Sequence, residues 1–158
     1  WVEYGIQSIY DKTLERINRG HGFENVKKWM KITQKYPNIK ICGHLIYGLP
    51  GEDKTMMLNS TKASYNLGID SVKYHPLYIV KNTKLAKEYY NKEFEPISKE
   101  AYLDVLVEAI KLKPRTISVQ RVSAGFDDDS LIAPTWCRDN FAQMASIRHA
   151  LYEAGFIY

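Results

Sequence analysis

The stretch "HLIYGLPGED", His44 to Asp53, decides the fold. An apolar run stops abruptly at Gly48, Leu49, Pro50 and Gly51, and an acidic pair, Glu52 and Asp53, follows. Apolar and aromatic residues followed by glycine and proline read as a buried strand that ends in a tight turn. A short carboxylate at Asp53 suits a helix start, where it accepts a free backbone N–H. Lys54 follows, but the GxxxxGK[ST] register of a phosphate-binding loop is absent. Glycine at such a turn lets backbone groups approach a ligand closely, although an ordinary strand-to-helix turn needs the same residues.

Outward from this turn the pattern repeats. "IKICGHLIYG" is the strand; Ile39, Ile41, Leu45 and Tyr47 share one side, and Lys40, Cys42, His44 and Ile46 the other. Upstream, "VEYGIQS" places Val2, Tyr4 and Ile6 opposite Glu3, Gly5 and Gln7. Asp11 is the expected cap of a helix carrying Leu14 and Ile17, broken by Gly20 and Gly22. A helix from Glu24 to Tyr36 is expected to bury Val26, Trp29, Met30 and Thr33. Downstream, a helix from Asp53 carries Met56, Met57, Ser60, Ala63, Ser64 and Leu67, with Gly68 beyond its end. "DSVKYHPLYI" is a strand whose regular ladder ends near Pro76. Helices near Thr83–Tyr90 and from Ser98 follow, the second burying Tyr102, Leu103, Leu106, Val107 and Ile110. "TISVQRV", an acidic "DDDS" loop and a helix from Asp139 to Ala154 complete the chain.

Strands alternating with helices argue for an α/β fold with a parallel sheet, either open or part of a barrel. Helix-covered parallel strands are usually apolar on both sides. Three strands here keep a polar side: Glu3 and Gln7, Lys40 and His44, Lys73 and His75. A packed barrel interior would not tolerate so many polar groups, so that side is expected to face a ligand or solvent.

The chain has 158 residues, 45% hydrophobic and 25% charged, with a formal net charge of +4, which fits one globular domain. No run approaches the roughly 18 apolar residues of a membrane span. Cys42 and Cys137 lack CxxC spacing and read as reduced thiols, so a cytoplasmic setting is expected. The chain opens on Trp1 and runs at once into strand sequence, which raises the expectation that a preceding part belongs to it.

Ligands of parallel α/β folds bind at the carboxyl ends of strands. Gln7 and Ser8 end the first strand there, where an amide can grip a hydroxyl or carboxylate or merely stabilise the turn. Arg19, in "NRGH", can clamp a carboxylate or complement a helix C-terminus. His44, His75 and Cys42 share one parity but come from different strands without metal-ligand spacing, so no metal ligand is assigned in the chain. "DDDS" lacks the calcium-loop pattern and reads as a solvated loop.

"EYGIQSIYDKTLERINRGH", "HLIYGLPGE" and "VKYHPLYIVKNTKL" together resemble the second half of radical S-adenosylmethionine (SAM) enzymes. The resemblance is strongest to an uncharacterised bacterial group of iron–sulfur oxidoreductases. It is more distant to the tRNA-modifying catalytic subunit of Elongator and to oxygen-independent coproporphyrinogen dehydrogenases. It implies the C-terminal half of a partial (β/α)6 TIM-like barrel over residues 1–122, with residues 123–158 as a loop and helix packed on the same domain. It implies SAM contacts at Gln7, Ser8, Arg19, His44, Ile46, Gly48, Pro76 and Leu77. Within that set, Gln7 matches a ribose contact, Arg19 the partner of the methionine carboxylate, and Ile46, Gly48, Pro76 and Leu77 the adenine surroundings. His44 stands where some relatives place an aspartate, and the usual glutamate is displaced to Glu52. Lys73, His75, Gln120 and Arg121 are expected to face the substrate.

The family's CxxxCxxC motif, which binds a [4Fe–4S] cluster, is not in these residues and is expected upstream of Trp1. The implied activity of the whole protein is reductive cleavage of SAM to a 5′-deoxyadenosyl radical that abstracts hydrogen from an unknown substrate. This chain by itself is expected to be inactive. Two other readings remain open: a tRNA-binding, Elongator-like module and a non-catalytic α/β binding domain. A dimer through the edge of the Val2–Gln7 strand is also expected.

Overall fold

A computed structural model describes residues 1–123, 125 and 129–156. Its elements in order are β1 (Val2–Gln7), α1 (Asp11–Arg16), α2 (Phe23–Thr33), β2 (Ile41–Tyr47), α3 (Lys54–Asn66), β3 (Ser71–Pro76), β4 (Ile79–Val80), α4 (Lys84–Tyr90), α5 (Lys99–Lys111), β5 (Ser118–Arg121), β6 (Leu131–Ala133) and α6 (Asn140–Glu153), with a 3-10 turn at Thr135–Cys137. Strands β1, β2, β3 and β5 form a parallel sheet in that spatial order, so the fold is α/β with successive crossovers. β1 lies at one edge of the sheet. Asp127 and Asp128 of the "DDDS" loop lie outside the described residues.

The alternation of side chains decides which face the helices cover. Ile6, Ile41, Leu45, Tyr47, Val72 and Tyr74 are buried in one core with Val26 and Met30 of α2, Met57 and Tyr65 of α3, and Tyr102, Val105 and Leu106 of α5. Ile147 and Leu151 of α6 join the same core. Its buried tyrosine hydroxyls are paired, as low polarity requires. Tyr47 Oη and Thr61 Oγ1 lie 2.6 Å apart, Tyr65 Oη donates to the Ala109 carbonyl at 2.9 Å, and Tyr102 Oη to the Val122 carbonyl at 2.6 Å.

Asp53 and Ser98 cap α3 and α5 through Met56 N–H and Ala101 N–H, and Gly68, at φ +76°, follows α3 as the sequence indicates. Other local expectations need correction. Asp11 is the first residue of α1, not its cap; its Oδ1 instead accepts the Phe23 N–H at 2.9 Å, closing the start of α2. Asn18, not Gly20, turns the chain after α1. At φ 55° it is left-handed, Asn18 N–H donates to Glu15 and Arg19 N–H to Leu14, the paired bonds of a Schellman turn. α2 stops at Thr33, and Trp29 is 55% exposed because Val26 and Met30 take the buried stripe. β4 and β6 form a separate antiparallel pair that the sequence pattern does not announce.

Candidate functional site

The uncovered face of the sheet carries the polar residues. Register places Gly5 beside His44, His44 beside Lys73, Ile46 beside His75, and Lys73 beside Arg121. Two bulges shape this face. Ile6 is the extra residue of β1, and it leaves Gln7 in the left-handed region at φ 64°. Gln120 is the extra residue of β5 and is exposed. Bulges re-aim side chains at sheet rims, and a non-glycine residue held at positive φ costs of order 1–3 kcal/mol that surrounding structure must offset.

Gln7 and Arg19 meet over Gly5. A Cβ at Gly5 would lie 2.6 Å from Gln7 Nε2 and 2.7 Å from Arg19 Nη2. Arg19 Nη2 donates to the Gly5 carbonyl at 2.8 Å. Gln7 Oε1 and Arg19 Nε are buried without a hydrogen-bond partner among the described residues. Buried polar atoms are normally paired, so an acceptor and a donor without partners, on two side chains that meet over Gly5, suit a polar ligand.

Ile46, Leu49 and Leu77 line a cavity of about 360 Å³ with Ile17 and Asn18, the residues just before Arg19 in the chain; Gln7 and Arg19 do not line it. The Arg16–Glu88 ion pair, at 3.4 Å, also borders it. An apolar cleft of this size beside a few polar groups suits a flat heterocycle with a polar tail. Pro76 is buried at the end of β3, and Leu77 N–H donates to the Tyr47 carbonyl at 2.9 Å, holding the two strand ends together.

Ser8 and Gly48 serve the scaffold. Ser8 is fully buried; its hydroxyl donates to Glu52 Oε1 and accepts the Tyr10 N–H at 3.1 Å. Burial raises the Glu52 carboxyl above its usual range, against the opposing hydrogen bond from Ser8. Gly48 has φ +85°, and a Cβ there would lie 2.6 Å from Ile97 Cβ. The abrupt end of β2 therefore has a cause within the chain: the strand closes tightly on Ile97.

Further along the face, Glu3 bridges two strands. Its Oε1 accepts from Lys73 Nζ at 2.5 Å, and its Oε2 lies 2.8 Å from His44 Nε2. Lys73 holds the Glu3 carboxyl below the usual range. The His44 and His75 rings lie 5.7 Å apart. Burial first, then protonation of His44 and the charges of Arg121 and Lys73, press the His75 pKa down to about 4; burial likewise lowers His44, so both imidazoles are neutral at neutral pH. Gln7, His44 and His75 thus share one face.

A family profile described as the Radical_SAM C-terminal domain matches residues 69–153. The chain belongs to this family. This radical SAM domain is 36% identical over 155 residues to Protein YhcC of Escherichia coli (strain K12), covering 98% of the chain and 50% of YhcC. It is 28% identical over 124 residues to a tRNA uridine(34) acetyltransferase of Methanocaldococcus jannaschii, covering 77% of the chain and 23% of that protein. The solved structure of an N-terminally deleted Elp3 from Methanocaldococcus infernus superposes with a TM-score of 0.85 over 99% of the chain and 36% of that protein, at 23% identity, and shares its fold. The domain spans about half the length of YhcC.

The site residues read from sequence divide in two. The structure brings Gln7 to Arg19, and Ile46 to Leu77, on the face that also carries His44, Lys73, His75 and Arg121. It places Ser8 in a hydrogen bond to Glu52 and Gly48 against Ile97. Glu3 is the residue of this face for which sequence reading assigned no role; its parity with Gln7 was the available signal.

Proposed function

We propose that this radical SAM domain supplies the ribose, carboxylate and adenine contacts for SAM in a longer iron–sulfur oxidoreductase of the cytoplasm. The observation that carries the reading is the pair of buried polar atoms without a partner among the described residues, Gln7 Oε1 and Arg19 Nε, with Arg19 directly following Ile17 and Asn18 of the Ile46–Leu77 cavity lining. Arg19 would hold the methionine carboxylate, Gln7 a ribose hydroxyl, and Ile46, Leu77 and the Pro76 backbone the adenine; His44 lies next to Gly5 on the ribose side. SAM held here beside a reduced cluster would supply hydrogen-abstraction chemistry. The residues of this chain orient SAM and shield it from water.

The donor set does not fit the cluster itself. Among the described residues no three His, Cys, Asp or Glu side chains group to hold a metal. Cys42 and Cys137 are free and buried in β2 and in the 3-10 turn. The three thiolates that an open-site [4Fe–4S] cluster requires are therefore proposed to come from outside this chain. In this reading residues 1–122 complete the barrel and α6 braces it through Ile147 and Leu151. The free edge of β1 is proposed to pair, in the isolated chain, with a second copy.

The test is anaerobic reconstitution of the full-length protein with iron, sulfide, a reductant and SAM. Formation of 5′-deoxyadenosine, lost on Arg19→Ala, is the expected result. Its absence from a protein with a fully loaded cluster overturns the reading in favour of a non-catalytic binding domain.

A second reading has its own support. Lys27, Lys28 and Lys31 of α2 and Lys35 just beyond it line one groove with Glu24 and Ile32, and Trp29 and Tyr36 of the same stretch are exposed. Basic side chains interleaved with aromatic ones suit single-stranded nucleic acid. One relative is named as a tRNA-modifying enzyme. Binding of the full-length protein to tRNA, falling steeply with salt, would support this reading; no binding at low salt would remove it.

A further inference from the structure

Arg121 stands apart on the polar face. Lys73, its neighbour in the register, has its charge answered by Glu3 at 2.5 Å, with only 13% of the Lys73 side chain exposed. The Arg121 side chain makes no hydrogen bond or ion pair among the described residues. Its charge nevertheless acts on both His44 and His75. The groups facing His75 are Glu3, His44, Lys73 and Arg121. Among the described residues, one carboxylate against a lysine and an arginine, with two neutral imidazoles, leaves one positive charge unanswered at neutral pH.

We propose that Arg121 and His75, backed by Lys73, form an oxyanion site that takes a phosphate or carboxylate group of the substrate. A guanidinium presents a planar fork of donors to such a group, and a neutral imidazole adds one N–H donor beside it. Glu3 holds Lys73 and approaches His44, so the anion is steered toward Arg121 rather than across the whole face. The site lies on the Ile46–His75 side of the sheet, past the cavity assigned to adenine, where a substrate would approach. This assignment rests on the reading of that face as the SAM hollow, but the anion contact forms without SAM or cluster.

The test uses the full chain carrying ¹³C-labelled histidine, titrated with inorganic phosphate, with acetate, or with chloride at matched ionic strength. Saturable shifts of the His75 ring signal with phosphate or acetate, but not chloride, are expected. The arm that binds more tightly identifies the anion. The titration midpoint of His75 should rise from about 4 when the anion is present, because a bound anion favours imidazolium. Arg121→Gln, at an exposed position, should weaken binding about tenfold or more, the loss of a charge-assisted bond. Equal responses to all three salts, or unchanged binding by Arg121→Gln, overturn the proposal. Either result leaves formation of 5′-deoxyadenosine untouched, so this proposal and the SAM reading fail separately.

Discussion

Arg19 reaches back from the turn after α1 to donate from Nη2 to the carbonyl of Gly5, 14 residues earlier, at 2.8 Å. The contact depends on Gly5 having no side chain, since a Cβ would crowd both Arg19 Nη2 and Gln7 Nε2. Both crowding atoms are far ends of flexible side chains, so Gly5→Ala should fold and displace them together. A shift of about 1 Å in positioning groups costs up to a hundredfold in function. Gly5→Ala in the full-length protein should therefore weaken SAM binding about tenfold to a hundredfold by calorimetry, with Tm lowered by only a few degrees. Unchanged affinity would remove Gln7 and Arg19 from the site.

Gly48 and Gly20 both have positive φ, +85° and +79°, yet their surroundings differ. Gly20 has nothing within 4 Å of a built Cβ, whereas Gly48 meets Ile97 Cβ at 2.6 Å. Gly20→Ala should cost about 1 kcal/mol, the backbone penalty alone. Gly48→Ala adds overpacking in a place where the neighbouring atom cannot rotate away, and should cost about 2 to 4 kcal/mol in all. Urea unfolding of the two variants measures the difference. Equal losses would mean that the Ile97 contact relaxes freely.

How far the sequence reveals this architecture depends on the range of the interaction. The two-sided character of β1, β2 and β3 is visible because side chains alternate with period two, and the wet face follows from Glu3, His44, Lys73 and His75 alone. The caps at Asp53 and Ser98 are equally local. Asp11 misleads because its carboxylate serves Phe23, 12 residues away, and local pattern cannot see that partner. Asn18 adopts the left-handed turn that glycine would be expected to take. β4 has two residues and pairs with β6 some 50 positions on, too short a run to show a period. Arg19 was legible as a candidate through resemblance, but its seat on Gly5 required tertiary structure.

Tyr65 and Tyr74 share a hydrogen bond in the core, and Tyr65 also donates to the Ala109 carbonyl at 2.9 Å. The two hydroxyls are therefore not equivalent. Tyr65→Phe leaves both the Tyr74 hydroxyl and the Ala109 carbonyl without their partner, whereas Tyr74→Phe leaves Tyr65 its bond to Ala109. Each buried group left unpaired costs about 1–3 kcal/mol. Tyr65→Phe should lower stability by about 2 kcal/mol or more, and Tyr74→Phe by roughly half as much, in urea denaturation. The reverse order would assign the Ala109 contact no energetic weight.

Glu52 links this scaffold to pH. Burial raises its carboxyl above the model-peptide value of 4.5, the Ser8 hydroxyl opposing the shift, and Oε2 has no hydrogen-bond partner among the described residues. A carboxyl raised on folding binds its proton more tightly in the native state than in the unfolded chain. Its contribution is fully present below pH 4.5 and is lost as pH rises through the higher native value. Glu52→Gln keeps the shape and an oxygen for Ser8 but never carries the charge. The variant should match the wild type in Tm below pH 4.5 and exceed it progressively above, when both are melted across pH 4 to 8. A wild type that gains on Glu52→Gln as pH rises would mean that the Ser8 hydrogen bond outweighs the cost of burying the carboxylate.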